Sequence, residues 1–477
     1  MKTVKNTFDG KYKYLIKNTG ILTISSFSSK ILVFLLVPLY TSILTTVEYG
    51  SYDLSVTTIQ LLFPIFTVNI YDAVMRFYMD GNYDKKEVSA VGLKYFIISI
   101  VLFGFFIFIN YQIGVFGVLN SIKEYSILVF AYYVTNLANQ YLTQMAKGLE
   151  RVKDIAIAGV VNTFVTLLLN IILLLVVRMG LRGFFISYIA GQACSALIII
   201  VKTQYWKYLS LRGNKQYETE MLAYSVPLIL GTIGWWCNNA SDRYIVTYMC
   251  GIAANGIYSV AYKIPSILVT FQQVFLQAWQ ISAVKEYDDE NSAYFYGKTF
   301  VTINIAMCLL CCVMIFFTKP IASLLYAKDF YTAWQYVPFL LVSGVFNAAS
   351  GIIGPILNAN KDSKSLGLSS LVGAVVNIIL NFALISVIGV QGAAIATAIS
   401  SYFIYIVRKI TVGQRIIVSD YWKVHLSWAL IVAQAVVSIY LGNTIAELVL
   451  IGILVIANVS ELRKMGAKFL NIKQILR

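Results

Sequence analysis

The sequence predicts an all-α polytopic membrane protein with two parallel six-helix repeats around a central cavity and two additional C-terminal helices. Three observations predict it. Hydrophobic residues make up 59% and charged residues 12% of the 477, where a soluble domain carries about half and about a quarter. The apolar runs are continuous, as at Ile97–Phe108 and Thr166–Val177, whereas outer-membrane barrel strands alternate over ~10 residues. Residues 15–203 also lay against 220–411 as a thin internal repeat.

At about 20 apolar residues per span plus a loop, the length accommodates about 14 transmembrane helices. Hydropathy places them at 18–43, 54–79, 90–112, 122–145, 155–177, 183–203, 221–247, 255–281, 297–317, 334–358, 366–388, 390–411, 422–442 and 444–460. The basic stretch Lys2, Lys5, Lys11, Lys13 and Lys17 precedes an apolar run too long for a signal-peptide core, so the first span is expected to be retained. Six of the seven prolines (Pro38, Pro64, Pro227, Pro265, Pro338 and Pro355) fall inside these spans, where each removes a backbone hydrogen bond and favours a bend.

Topology follows from the basic residues. Of the 37 Lys and Arg, only Lys123, Arg178, Arg182, Lys319 and Lys328 fall in one set of alternate loops, and Lys30, Arg243 and Lys263 lie inside spans. The remainder flank the opposite set, which predicts both termini on the cytoplasmic side. The expected organisation is an N-terminal six-helix lobe at 1–210, a C-terminal six-helix lobe at 211–415, and two further helices with a cytoplasmic tail at 416–477.

Two landmarks carry the repeat. Tyr40 leads to Gly50-Ser51-Tyr52-Asp53-Leu54, as Tyr244 leads to Gly256-Ile257-Tyr258-Ser259-Val260. Lys153-Asp154, Asn170 and Gly180-Leu181-Arg182-Gly183 correspond to Lys361-Asp362, Asn381 and Gly389-Val390-Gln391-Gly392. Because spans one and seven both start inside, the halves are expected to be parallel repeats, with a substrate site between them.

Several function classes fall away. The formal charge of +15 is spread over short loops, with no polar domain to present it to nucleic acid. The cysteines Cys194, Cys237, Cys250, Cys308, Cys311 and Cys312 lie in or beside apolar runs, so neither a disulfide framework nor a metal site is expected. There is no GxxxxGK[ST] phosphate loop. The single histidine, His425, has no nucleophile at a motif spacing. No cofactor and no catalytic residue are expected.

The candidate binding residues are polar groups inside spans, where a charge at the bilayer centre costs about 2.5–3.5 kcal/mol even on the mild insertion scale. Lys30 lies deepest, about twelve residues from either end of its span, or roughly 18 Å at 1.5 Å per residue. It reads either as a cation facing an anionic cargo or as one half of a salt bridge with Asp72. Arg243 and Lys263 lie nearer the outer ends of their spans, where snorkelling is the rival reading. Asp72 and Arg76 have the i,i+4 spacing of a helical ion pair, with Arg76 also a candidate for substrate contact, and Asp242 is a candidate to accept a proton or cation. Asn136, Asn139, Gln140 and Gln144 form one amide stripe, and Gln273, Gln277 and Gln280 another. Such stripes suit sugar hydroxyls, and equally helix–helix hydrogen bonds in lipid.

Pro38–Leu44, Glu48–Asp53, Arg76–Tyr78, Asp242–Ile245, Gly256–Ile264 and Gly392–Thr397, in this order and spacing, resemble the polysaccharide transporter family of the multidrug/oligosaccharidyl-lipid/polysaccharide exporter superfamily. The resemblance implies a flippase of undecaprenyl-pyrophosphate-linked repeat units for O-antigen, capsule or related polymers, in a bacterial cytoplasmic membrane. It implies a lipid-linked anionic oligosaccharide and membrane lipids as partners, together with a polymerase and other glycan-assembly proteins. Two rivals stand beside it. A cation-coupled multidrug exporter of the same superfamily would want more intramembrane acids than Asp72, Asp242 and Glu447. A membrane polymerase or ligase of the same glycan pathway would want a large outer loop.

Overall fold

The computed structural model describes residues 34, 36–114, 123–210, 212–285, 292–360 and 362–464. Lys30 lies outside them. The described residues are almost all helical, without a strand among them, and the chain divides into two compact units between Trp236 and Cys237.

The first unit contains α1 (Val37–Ile43), α2 (Thr46–Thr67), α3 (Ile70–Met79), α4 (Lys85–Ile113), α5 (Ser126–Gly148), α6 (Val152–Asn170) and α7 (Gly180–Thr203). Helix α8 (Lys215–Cys250) runs across the boundary. The second unit continues with α9 (Ile252–Ala261), α10 (Pro265–Lys285), α11 (Ser292–Phe316), α12 (Thr318–Leu325), α13 (Val337–Ala359), α14 (Ser363–Ile388), α15 (Gln391–Val412), α16 (Tyr421–Val436) and α17 (Thr444–Ala457). Helices α6 and α16 each run on into a π-helical turn, at Ile171–Val176 and Val437–Leu441.

Among the described residues eight helices are long and apolar enough to cross a membrane, and the number rises to 10 if each of two bent pairs, α2 with α3 and α9 with α10, is one span. The expected spans at 122–145 and 221–247 correspond to α5 and α8. Their amides and charges, Asn136, Asn139, Gln140 and Gln144 on one and Asn238, Asn239, Asp242 and Arg243 on the other, lower the mean hydropathy of helices that are otherwise long enough. Helix α17 is shorter, and most of the first expected span lies outside the described residues.

Local chemistry sets the helix ends. Thr45 and Glu48 form a reciprocal capping box at the start of α2, Asp84 caps α4 by accepting from the Lys86 amide, and Asn443 caps α17 through the amides of Ile445 and Ala446. These side chains satisfy amides that have no partner within the helix.

The two bends occupy equivalent places in the repeat but arise differently. Helices α9 and α10 meet at 48° just before Pro265, which lacks the N–H needed to continue the ladder and disfavours helical geometry at Ile264. Helices α2 and α3 meet at 58°, where Val68 and Asn69 both take left-handed backbone angles, φ 47° and 52°.

In the first unit, Ala73 and Val74 of α3 pack with Val88 of α4, Met145 and Ala146 of α5, and Ile199 of α7. In the second, α13 is the central helix, with Val342, Val345, Ile352, Ile353, Ile356 and Leu357 fully shielded. Helices α16 and α17 pack on α11 and on each other. Gln434 donates to the Cys312 carbonyl at 3.0 Å, and Asn458 donates to Ser427 at 3.0 Å. Cys308, Cys311 and Cys312 are free and buried, small packing groups on α11.

Candidate functional site

Each unit holds polar side chains beside its bent pair. In the first, Asp72 stands one turn past the break, and Gln144 on α5 donates to its Oδ1 at 2.5 Å. Lys147, about one turn further along α5, is near enough for its charge and that of Asp72 to interact. Gln144 Oε1, the oxygen of the donating amide, and Asn139 Oδ1 on the same helix are buried without a hydrogen-bond partner among the described residues.

Arg76 and Asp72 form no ion pair among the described residues; the tertiary contact from α5 takes the place of the expected helical one. Arg76 is exposed and instead borders a pocket with Phe77, Asp80, Tyr83 and Tyr224.

In the second unit, the buried Asp242 accepts hydrogen bonds at Oδ2 from the hydroxyls of Tyr258, at 2.8 Å, and Tyr262, at 2.6 Å. Its Oδ1 accepts from the Arg243 backbone amide at 2.9 Å. The Arg243 guanidinium lies over the Tyr262 ring, 5.2 Å from the centroid, a cation–π contact. Lys263 follows Tyr262 in the break itself and is half-buried. The structure thus brings Asp242, Arg243 and the turn bearing Lys263 together through two tyrosines. Gln273 and Gln277 lie exposed on α10, one turn apart.

Two further polar features lie in the second unit. Asn377 on α14 donates to Ser400 at 3.2 Å and Thr397 at 3.5 Å on α15 and accepts from Asn381 at 2.9 Å, while Asn238 on α8 donates to the Ser370 carbonyl at 2.9 Å. The i,i+4 pair of asparagines inside an apolar run was the available sequence signal. Arg408, counted by position as a loop base, is half-buried near the end of α15 and donates to Ser369 Oγ at 3.0 Å and the Ser350 carbonyl at 2.9 Å.

Among the described residues no group of three His, Cys, Asp or Glu is placed to hold a metal. The assembled groups are amides, hydroxyls, single carboxylates and cations, chemistry for binding a polar or charged molecule by hydrogen bonds and charge.

A model of the family described as polysaccharide biosynthesis protein matches residues 15–280, and the MatE family model matches residues 227–383. The solved structure described as lipid II flippase MurJ, in an inward closed conformation, superposes with a TM-score of 0.68 at 16% identity, over 94% of this chain and 100% of that one. An inward-facing multidrug resistance MATE family transporter of the MOP superfamily gives 0.60 at 14% identity, over 85% and 99%. A MOP superfamily transporter from Pyrococcus furiosus gives 0.50 at 13%, over 83% and 94%. At these identities the likeness shows a shared fold. No curated protein sequence matches the chain.

Proposed function

Since the chain belongs to the polysaccharide biosynthesis protein family and is a multi-pass membrane protein with the fold of MOP superfamily transporters, we propose that it is a flippase of undecaprenyl-pyrophosphate-linked oligosaccharide repeat units. It carries them from the inner to the outer leaflet of a bacterial cytoplasmic membrane, for surface polymers such as O-antigen or capsule. The observation that carries this reading is the family match across residues 15–280. The fold likeness to a protein described as a lipid II flippase supports a lipid-linked cargo.

In this reading two lobes, 1–210 and 211–415, alternate access to a shared cavity, and 416–477 adds two outer helices and a cytoplasmic tail. Lys30, Arg243 and Lys263 take the pyrophosphate. Asn139, Gln144, Gln273 and Gln277 take sugar hydroxyls, and the polyprenyl chain stays in lipid. Outward movement of negative charge is downhill when the cell interior is negative, by ~2.3 kcal/mol per charge per 100 mV, so a head group of charge about −2 gains ~5 kcal/mol. No covalent bond is made or broken.

Proteoliposomes loaded with a fluorescent polyprenyl-pyrophosphate-linked saccharide test the proposal. The expected result is protein-dependent transfer, accelerated by a membrane potential negative on the donor side and strongly reduced by Lys30→Gln at equal protein density. Transfer indistinguishable from protein-free vesicles would overturn it.

A second reading, a cation-coupled exporter of amphiphilic compounds, draws on the MatE match over 227–383 and on the buried carboxylate of Asp242. It predicts uptake of cationic dyes into the same vesicles, driven by a proton or sodium gradient and abolished by Asp242→Asn.

A further inference from the structure

A pocket in the first unit has the chemistry of a lipid head-group site. Its volume is about 200 Å³ and its lining is Arg76, Phe77, Asp80, Tyr83 and Tyr224; at ~30 Å³ per water it has room for roughly seven waters, or for a phosphate with a short arm. Helix α3 ends at Met79, Asp84 caps α4, and Lys85, Lys86 and Glu87 fill the first turn of α4. A turn with that many charges belongs in water, and the three rings beside it suit the head-group layer where aromatic side chains collect.

The two charges lining the pocket are opposite and separately available. Arg76 makes no ion pair or hydrogen bond among the described residues. Asp80 Oδ1 accepts from the backbone and side-chain nitrogens of Asn82 at 3.1 and 2.9 Å, which leaves Oδ2 for another donor. The neighbouring acid is already satisfied: Glu220 accepts from Gln216 at 2.9 Å and from Tyr83 at 2.7 Å. Phe77 stands edge-on to Tyr83, with ring centres 4.6 Å apart, so the apolar wall is fixed by packing.

We propose that this pocket seats the head group of a zwitterionic phospholipid with a primary ammonium, Arg76 binding the phosphate and Asp80 the ammonium. A diphosphate would meet the Asp80 carboxylate uncompensated, and a simple cation would meet Arg76. A group bearing both signs answers both. Arg76 is thereby assigned to a resident lipid instead of the transported cargo, and the proposal stands whether or not the flippase reading does.

Native mass spectrometry of the purified full chain, exchanged into mixed micelles with phosphatidylethanolamine, phosphatidylcholine or phosphatidylglycerol, tests it. One phosphatidylethanolamine is expected to be retained in preference to the other two. Arg76→Gln and Asp80→Asn each weaken that retention roughly ten-fold or more, as loss of a charge-assisted contact implies, and Arg76→Lys keeps most of it. Equal retention of phosphatidylcholine would overturn the ammonium contact. Retention of phosphatidylglycerol equal to that of phosphatidylethanolamine would overturn the zwitterion. Farnesyl pyrophosphate is the probe for the cargo's chemistry: displacement of the lipid by it, strengthened in Asp80→Asn, would make the pocket a diphosphate site and end the proposal. Should Arg76→Gln unfold, Asp80→Asn and Arg76→Lys, with melting temperatures matched to wild type, carry the same comparison.

Discussion

The Tyr262 hydroxyl donates to Asp242 Oδ2 at 2.6 Å, while the face of the same ring receives the Arg243 guanidinium at 5.2 Å. One side chain thus answers a buried carboxylate at its polar edge and a cation on its π face. Tyr258 supplies a second donor to the same oxygen at 2.8 Å. Residues on either side of the α9–α10 break are thereby tied to the middle of α8.

Tyr262→Phe keeps the ring and removes only the donor, so its expected cost is that of a hydrogen bond to a charged group, ~1.5–3 kcal/mol. Asp242→Asn removes the charge that made the bond strong. The two changes are expected to couple, the double variant costing less than the sum of the singles by ~0.5–3 kcal/mol. Thermal unfolding of the purified chain in detergent measures the cycle. Additivity within about 0.5 kcal/mol would contradict a direct contact.

At the other bend, Asn69 combines a left-handed backbone with two side-chain contacts, donating to Thr232 Oγ1 at 3.3 Å and accepting from the Tyr71 hydroxyl at 2.9 Å. Left-handed geometry costs ordinary L residues ~1–2 kcal/mol, and Asn tolerates it better than most. Asn69→Ala therefore loses backbone compatibility and both contacts, an expected ~2–3 kcal/mol, whereas Asn69→Gly spares the backbone and costs about 1 kcal/mol less. Val68→Gly relieves a β-branched residue at φ 47°, so its melting temperature is expected to match or exceed wild type. Asn69→Ala proving more stable than Asn69→Gly would contradict the bend.

Hydropathy is a property of one segment at a time, which is why the long apolar helices α4, α6, α11 and α14 were legible in the sequence. So was the bend before Pro265, because proline acts on its own backbone. Val68 and Asn69 gave no comparable signal: a valine with positive φ is held by its surroundings. Within the site, the amide period on α5 left sugar hydroxyls and helix–helix hydrogen bonds open as readings, and the local i,i+4 rule offered Arg76 to Asp72; the hydrogen bond Asp72 makes reaches across from Gln144 on α5. Tyr258 and Tyr262 were hidden among 33 tyrosines, since a ring packed in lipid and a ring holding a carboxylate look alike until the carboxylate is placed. Arg408 was hidden by its position near the end of a span, where a base normally reaches water.

Near the start of α8, Glu218 accepts from Lys94 Nζ at 2.7 Å and from the Tyr95 hydroxyl at 2.8 Å. These hydrogen bonds, with Lys94 first, hold its carboxyl below the ordinary 4.5. A depressed folded value means the contribution is complete above pH 4.5 and is lost as the pH falls through the lower folded value. With 52% of the Lys94 side chain and 23% of the Glu218 side chain exposed, solvent limits the contribution to ~0.2–1 kcal/mol. Melting temperatures of wild type and Glu218→Gln across acidic pH should differ by a constant amount above pH 5 and converge below the ordinary value. A difference that widens on acidification would refute the sign.

The last expectation concerns the cation beside Asp242. If Arg243 meets the pyrophosphate, charge and shape should both count, because a guanidinium can stack on Tyr262 and present its fork to phosphate oxygens, whereas an ammonium offers only the charge. At an effective dielectric near 20, unit charges about 4 Å apart attract by ~4 kcal/mol before desolvation. Arg243→Gln is therefore expected to slow protein-dependent transfer of a polyprenyl-pyrophosphate-linked saccharide by roughly ten- to a hundred-fold, with Arg243→Lys between it and wild type. Tyr262→Phe keeps the ring under the guanidinium, so it should reduce stability more than transfer. The transfer assay is read at matched protein density and alongside thermal unfolding, because a loss that merely follows stability would place Tyr262→Phe level with Arg243→Gln. Wild-type transfer by Arg243→Gln would remove this residue from the cargo site and leave the cation–π stack as a structural clasp between α8 and the α9–α10 break.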